Sequence, residues 1–70
     1  MSENEYKKAL FAVRDALVLF IKNHDADLLT RVRDFIAEDK AKRRKDVRAI
    51  VQGLGKLPQD ISNEFEAMFA

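Results

Sequence analysis

Three side chains that could take part in metal binding or acid–base chemistry lie close together in the sequence, at His24, Asp25 and Asp27. An imidazole and two carboxylates suit a divalent metal ion, and a histidine beside a carboxylate suits general acid–base catalysis. The same residue types are also favoured at helix ends, aspartate at the N-terminal end and histidine at the C-terminal end. We therefore interpret them as helix-terminal residues and predict neither a metal site nor a bound cofactor.

The chain offers few other groups for catalysis. It contains a single histidine and no cysteine, so a nucleophile would have to be a hydroxyl group paired with His24 or with a carboxylate. No spacing in the sequence places such a pair together. The glycines at residues 53–55 follow a helical pattern rather than a strand, and no Lys-Ser/Thr pair follows them, so they do not form a phosphate-binding loop. We predict no catalytic residues, no small-molecule substrate and no enzymatic activity.

A run of basic residues is the strongest charge signal. Residues 40–56 contain seven basic side chains and one acidic side chain, a net charge of +6, although the whole chain carries only +1. Such a cluster can contact phosphates and release their counterions, but many charge runs are simply a solvated face of the fold. No aromatic residue is interleaved with the run, which removes the base-stacking pattern of single-strand binders. The predicted basic patch consists of Lys40, Lys42, Arg43, Arg44, Lys45 and Arg48.

Ala49 and Gly53 have the four-residue spacing of the small residue and the turn glycine in a helix-turn-helix motif. In that motif the helix after the turn enters the major groove of DNA. The corresponding helix here would begin at Pro58, and residues 57–70 contain three acidic side chains and no basic one. Because carboxylates repel phosphates, we reject this motif.

The element that must position all of these groups is a predicted helix from about Glu3 to Asn23. Eleven of the thirteen residues at 9–21 are apolar, and the segment contains neither Gly nor Pro. Side chains spaced by alternate steps of four and three residues share one face of a helix. The residues with this spacing are Tyr6, Leu10, Val13, Leu17, Phe20 and His24.

Phe11 and Val18 fall on the opposite side of this helix, among basic side chains, and Leu19 lies at the edge between the two sides. Scattered exposed apolar residues are common, and the C-terminal segment could also cover Phe11 and Val18. The alternative is that Phe11, Val18 and Leu19 form an apolar surface for a partner or for a second copy of the chain. We expect self-association, and we expect lysine at Phe11 and Val18 to give a monomer with intact helices.

The rest of the chain continues the helical pattern. A second helix is predicted at about residues 26–38, antiparallel to the first after a three-residue connection. Residues 37–46 fit a loop, a frayed turn or part of one continuous helix, and we favour a break near Asp39. A third helix is predicted to end with Gly53 in the left-handed region, and a fourth to run from Pro58 to the end of the chain. The predicted fold is all-α, a compact bundle of three to four helices built on an N-terminal αα-hairpin, with residues 1–70 forming one domain.

Targeting signals are not expected. The apolar run of the first helix is interrupted by Arg14 and Asp15 and is too short to cross a bilayer, and the acidic start of the chain is unlike a signal peptide. The absence of cysteine fits a reducing compartment. We therefore expect a cytoplasmic protein without a membrane segment.

These observations favour a small non-enzymatic protein that acts by binding another protein, as a regulatory adaptor or as an inhibitor of the immunity-protein type. The partner would be a different protein or a second copy of the chain. The alternative is a regulator that binds nucleic acid through residues 40–48, and a third hypothesis is an accessory subunit of an enzyme. The sequence itself names no partner.

The nucleic-acid hypothesis predicts binding to mixed-sequence duplex DNA or single-stranded RNA that weakens steeply as salt is raised. It also predicts that glutamate at Arg43 and Arg44 abolishes this binding. Fluorescence anisotropy at low and near-physiological salt measures both effects, and binding that the double variant retains would rule the hypothesis out.

Overall fold

The structure, a computed structural model, describes residues 2–69. It contains four helices and no strand in that range, namely α1 (Glu3–Asn23), α2 (Ala26–Ala37), α3 (Lys40–Gly53) and α4 (Gln59–Phe69). The first two helices pack against each other as a hairpin, which confirms the predicted all-α bundle. None of these helices is both long enough and apolar enough to cross a membrane.

The ends of α1 are fixed by local hydrogen bonds. The Ser2 hydroxyl accepts a hydrogen bond from the Glu5 backbone N–H at 3.2 Å, which satisfies one of the unpaired donors at the start of the helix. At the other end His24 adopts the left-handed conformation, with φ 54°, and its backbone N–H donates to the Phe20 carbonyl at 2.7 Å. The interpretation of His24 as a helix-terminal residue is confirmed.

Aspartates begin the next two helices. The Asp25 carboxylate accepts from the Asp27 backbone N–H at 3.0 Å at the start of α2. The Asp39 carboxylate accepts from the Lys42 N–H at 3.5 Å at the start of α3. The chain therefore breaks at residues 38–39, which confirms the predicted break near Asp39, and the basic run is helical from Lys40 onwards.

Two details of the predicted α3–α4 connection are wrong. Gly53 is the last residue of α3 and does not adopt the left-handed conformation; Gly55 does so instead, with φ 85°. The last turn of α3 thus continues through Leu54 before the chain reverses. Pro58 precedes α4 rather than opening it, and its carbonyl accepts from the Ser62 N–H at 3.0 Å. The local signals marked the turn correctly but displaced its residues by one or two positions.

All four helices contribute to one apolar core, and no polar or charged residue is buried among residues 2–69. The predicted stripe of α4 is entirely buried, so the C-terminal helix is part of the core. On α1 only the middle of the predicted stripe is buried, while Tyr6 is half-buried and His24 is exposed. The core residues are Val13, Leu17, Phe20, Leu29, Val32, Ile36, Val47, Ile61, Phe65, Met68 and Phe69.

Phe65 joins α4 to α1. It is 1% exposed, and its ring centroid lies 5.8 Å from that of Phe20. We predict that Phe65→Ala lowers the free energy of unfolding by about 3–5 kcal/mol because it leaves a cavity and removes the aromatic contact. Urea unfolding followed by circular dichroism measures this loss, with Phe65→Leu as a milder companion variant. A loss below about 1 kcal/mol for Phe65→Ala would contradict the docking of α4 in the core.

Candidate partner-binding surface on the first helix

The large apolar side chains that are exposed among residues 2–69, Phe11 and Leu19, both lie on the outer side of α1. Phe11 is 65% exposed and Leu19 is 45% exposed, whereas Val18 is half-buried. The C-terminal helix does not cover Phe11, since its own apolar stripe faces the core. The sequence-based alternative in which the C-terminal segment covers this side is therefore wrong for Phe11.

Phe11 stands at the edge of an open groove between α1 and α3. The groove has a volume of about 330 Å³, and its accessible lining is almost wholly apolar. Leu10 and Phe11 line it from α1, and Ile50 lines it from α3. Lys7 and Arg14 lie at its two ends, one helical turn before and after these apolar residues, so cations flank an apolar floor.

The other two predicted residues line a neighbouring concavity. Val18 and Leu19 form a shallow depression with Arg14 and Asp15. Arg14 lines both depressions and therefore connects them along α1. The structure thus places Phe11 in one depression and Val18 and Leu19 in the next, along the same side of one helix.

Some residues of the basic patch form contacts that join the helices, and others do not. Arg43 is used most, because only 11% of its side chain is exposed. Its guanidinium lies 4.4 Å from the centre of the Phe35 ring and donates to the Phe35 carbonyl at 3.0 Å, and it also forms an ion pair with Glu38. Arg43 therefore ties the start of α3 to the end of α2.

Arg44 and Arg48 hold the C-terminal end of α4. Arg44 donates to the Phe69 carbonyl at 3.4 Å, and Arg48 lies 5.1 Å from the centre of the Phe69 ring and 3.8 Å from a Glu66 carboxylate oxygen. Cations are favoured at this end of a helix because its carbonyls carry partial negative charge. Within residues 2–69, the side chains of Lys40 and Lys45 form no ion pair or hydrogen bond.

A cluster around Tyr6 was not predicted from the sequence. The Tyr6 hydroxyl donates to the Asp46 carboxylate, and its ring stacks on Phe35 with the centroids 6.1 Å apart. The Lys42 ammonium lies 4.3 Å from the centre of the same ring. Partial burial and then the Asp46 carboxylate raise the pKa of Tyr6 to about 12. These residues come from three helices, so no local spacing could have shown that they meet.

That the chain binds no metal ion and no cofactor remains a prediction. Among residues 2–69, no group of three or more His, Cys, Asp or Glu side chains is arranged to hold a metal ion. His24 and Asp25 act at helix ends through a backbone N–H and a carboxylate oxygen respectively.

Comparison of the chain with protein-family models, curated proteins and solved structures found no match.

The single tyrosine makes the Tyr6 cluster directly measurable. The folded-state pKa of about 12 exceeds the ordinary tyrosine pKa of 10.0, so this contact stabilises the fold fully below pH 10 and its contribution is lost as pH rises towards 12. We predict that tyrosinate absorbance gives an apparent pKa near 12 in the folded protein.

The matched variant is Asp46→Asn, which keeps the shape of the side chain and removes its charge. We expect its Tyr6 pKa to fall part of the way towards 10.0, because the partial burial remains. A wild-type pKa near 10, unchanged by Asp46→Asn, would contradict the contact between α1 and α3.

Proposed function

We propose that this chain is a small non-enzymatic interaction module that binds another protein through the outer side of α1. The observation that carries the proposal is Phe11, an aromatic side chain that is 65% exposed at the edge of an apolar groove. Aromatic residues are frequent anchors at the centres of protein interfaces, where they fill apolar pockets. A regulatory adaptor and an inhibitor of the immunity-protein type both act through such a surface.

The position of Phe11 on a well-packed helix supports this proposal. The opposite side of α1 buries Val13, Leu17 and Phe20, so the backbone that carries Phe11 is held by the core. Because this backbone is already ordered, binding there costs little conformational entropy in the chain, and preorganisation of this kind raises affinity.

Cytoplasmic localisation remains a prediction.

Nucleic acid is the alternative partner. Contacts within the fold engage Arg43, Arg44 and Arg48, which weakens the argument for a continuous phosphate-binding patch. Replacing Arg43 would also disturb the fold, so loss of binding in that variant would not identify a nucleic-acid site. Glutamate at Lys40 and Lys45 tests the alternative without removing a contact of the fold.

The proposal is tested by affinity capture from a lysate of the cells that make the protein, followed by mass spectrometry. The baits are the wild type, Phe11→Lys and a matched control, Gln52→Lys, which adds a lysine at an exposed position of α3. We expect the wild type and Gln52→Lys to retain the same protein, and Phe11→Lys to lose it because a charge then occupies the anchor position.

Analytical ultracentrifugation of the purified chain completes this test. A dimeric wild type and a monomeric Phe11→Lys would identify a second copy of the chain as the partner. Equal capture by all three baits, together with no self-association of the wild type, would overturn the proposal.

A further inference from the structure

The groove between α1 and α3 has a composition that restricts what can bind it. We infer that it binds an acidic amphipathic helix of a separate protein, an inference that rests on the proposed function and adds the chemical class of the partner.

Two small residues, Ala49 and Gly53, lie on a face of α3 beside the groove. Lys42, Asp46, Ala49 and Gly53 are spaced by four, three and four residues and therefore share one face of α3. This face borders α1, since Asp46 and Lys42 both contact Tyr6. Further along the face Ala49 and Gly53 are exposed, and a Cβ atom built on Gly53 would meet nothing within 4 Å. An incoming helix can therefore approach the backbone of α3 closely.

The α1 side of the groove is long enough for a short helix. Lys7 at its start and Val18 in the adjoining depression are eleven residues apart, which corresponds to about 16 Å of helix. A partner helix of about three turns would match that length. Its apolar residues at i, i+3 or i+4, and i+7 would meet Leu10, Phe11 and Ile50, as in other helix-in-groove interfaces.

The charged residues that line the groove itself, Lys7 and Arg14, are both positive, while the adjoining depression also contains the carboxylate of Asp15. Lys7 has 64% of its side chain exposed and lies 3.9 Å from Glu3, a weak surface pair, and Arg14 forms no ion pair within residues 2–69. Lys42 adds a third cation where α3 approaches Tyr6. The nearby carboxylate of Asp46 already accepts the Tyr6 hydroxyl. Carboxylates beside the apolar stripe of a partner would therefore meet Arg14, and also Lys7, whose surface pair with Glu3 is weak.

A second copy of this chain fits the groove poorly. The acidic helix of the chain is α4, which carries Asp60, Glu64 and Glu66, but its apolar stripe is buried in the core. It could enter the groove of another copy only by leaving its own core. Duplex nucleic acid supplies the negative charge but offers no apolar stripe for Phe11. These comparisons favour a helix from a different protein.

Phage display provides the test, with a library of 14-residue helices as the probe. Each peptide has apolar residues at i, i+3, i+4 and i+7, and its other positions are drawn equally from Glu, Lys and Gln. The baits are the wild type, Arg14→Glu, Phe11→Lys and a charge-matched control, Arg33→Glu, which alters an exposed residue of α2. Circular dichroism first establishes that every bait is folded.

We expect the wild type and Arg33→Glu to enrich peptides with Glu beside the apolar stripe. Arg14→Glu should shift the enrichment towards Lys, and Phe11→Lys should enrich nothing. Synthesised acidic binders should lose about three- to tenfold in affinity when both Lys7 and Arg14 become Glu, the size expected for two partly exposed ion pairs.

Several outcomes would overturn the inference. One such outcome is a set of peptides that require Phe11 but show no preference for Glu. Another is a preference for Glu that Arg14→Glu leaves unchanged. Either result would show that the cations of the groove do not select the partner, and the proposed function would stand. No Phe11-dependent peptide at all would reject a helix as the occupant, and the capture experiment would then decide the proposed function separately. A wild-type dimer that Phe11→Lys dissociates would show that a second copy fills the groove.

Discussion

In this four-helix fold the neighbouring helices cover α1 on one side only, where it carries Val13, Leu17 and Phe20. These residues meet the apolar side chains of α2, α3 and α4 in one core, which contains no buried polar or charged residue among residues 2–69. A chain of 70 residues without cysteine has no disulfide to add to this core, so its stability depends on that burial. The side of α1 that the core does not use carries Phe11.

Charged residues of α3 join the helices around this core. The guanidinium of Arg43 packs on Phe35 and bonds to its carbonyl, and Arg48 packs on Phe69. Arginine suits such positions because its planar group can stack on an aromatic ring while it donates hydrogen bonds. Part of the positive charge of the basic patch is therefore balanced inside the fold by Glu38 and Glu66. The cations that remain at the groove lie mainly on α1.

Periodicity predicted most of the fold, because the apolar spacing of each helix is a local property of the sequence. It predicted the full length of α1 and the buried stripe of α4. The hairpin was predicted from the short connection after α1, and the break near Asp39 because a continuous helix would run past its antiparallel partner. Turn geometry was predicted less well. The left-handed conformation was predicted at Gly53, but Gly55 adopts it, and only the path of the following residues could show this. Both glycines fit the local pattern, so the sequence could not choose between them.

The candidate site was predicted in part. The exposure of Phe11 follows from its angular position on α1, which the sequence determines. The contribution of Ile50 does not, because the packing of α3 beside α1 depends on contacts between distant residues. For the same reason, the sequence did not predict the Tyr6–Asp46 contact or the hydrogen bond from Arg43 to the Phe35 carbonyl. Sequence patterns therefore identified the helix that carries the surface, but not the neighbouring helix that completes the groove.

The account depends most on the claim that Phe11 is available for binding and is not part of the core. The most direct test is equilibrium urea unfolding of Phe11→Lys and Leu17→Ala beside the wild type. We predict that Phe11→Lys changes the free energy of unfolding by less than about 0.5 kcal/mol, as surface substitutions do, and that Leu17→Ala lowers it by about 2–5 kcal/mol. A loss of about 2 kcal/mol or more in Phe11→Lys would place Phe11 in the core and would contradict a binding surface on the outer side of α1.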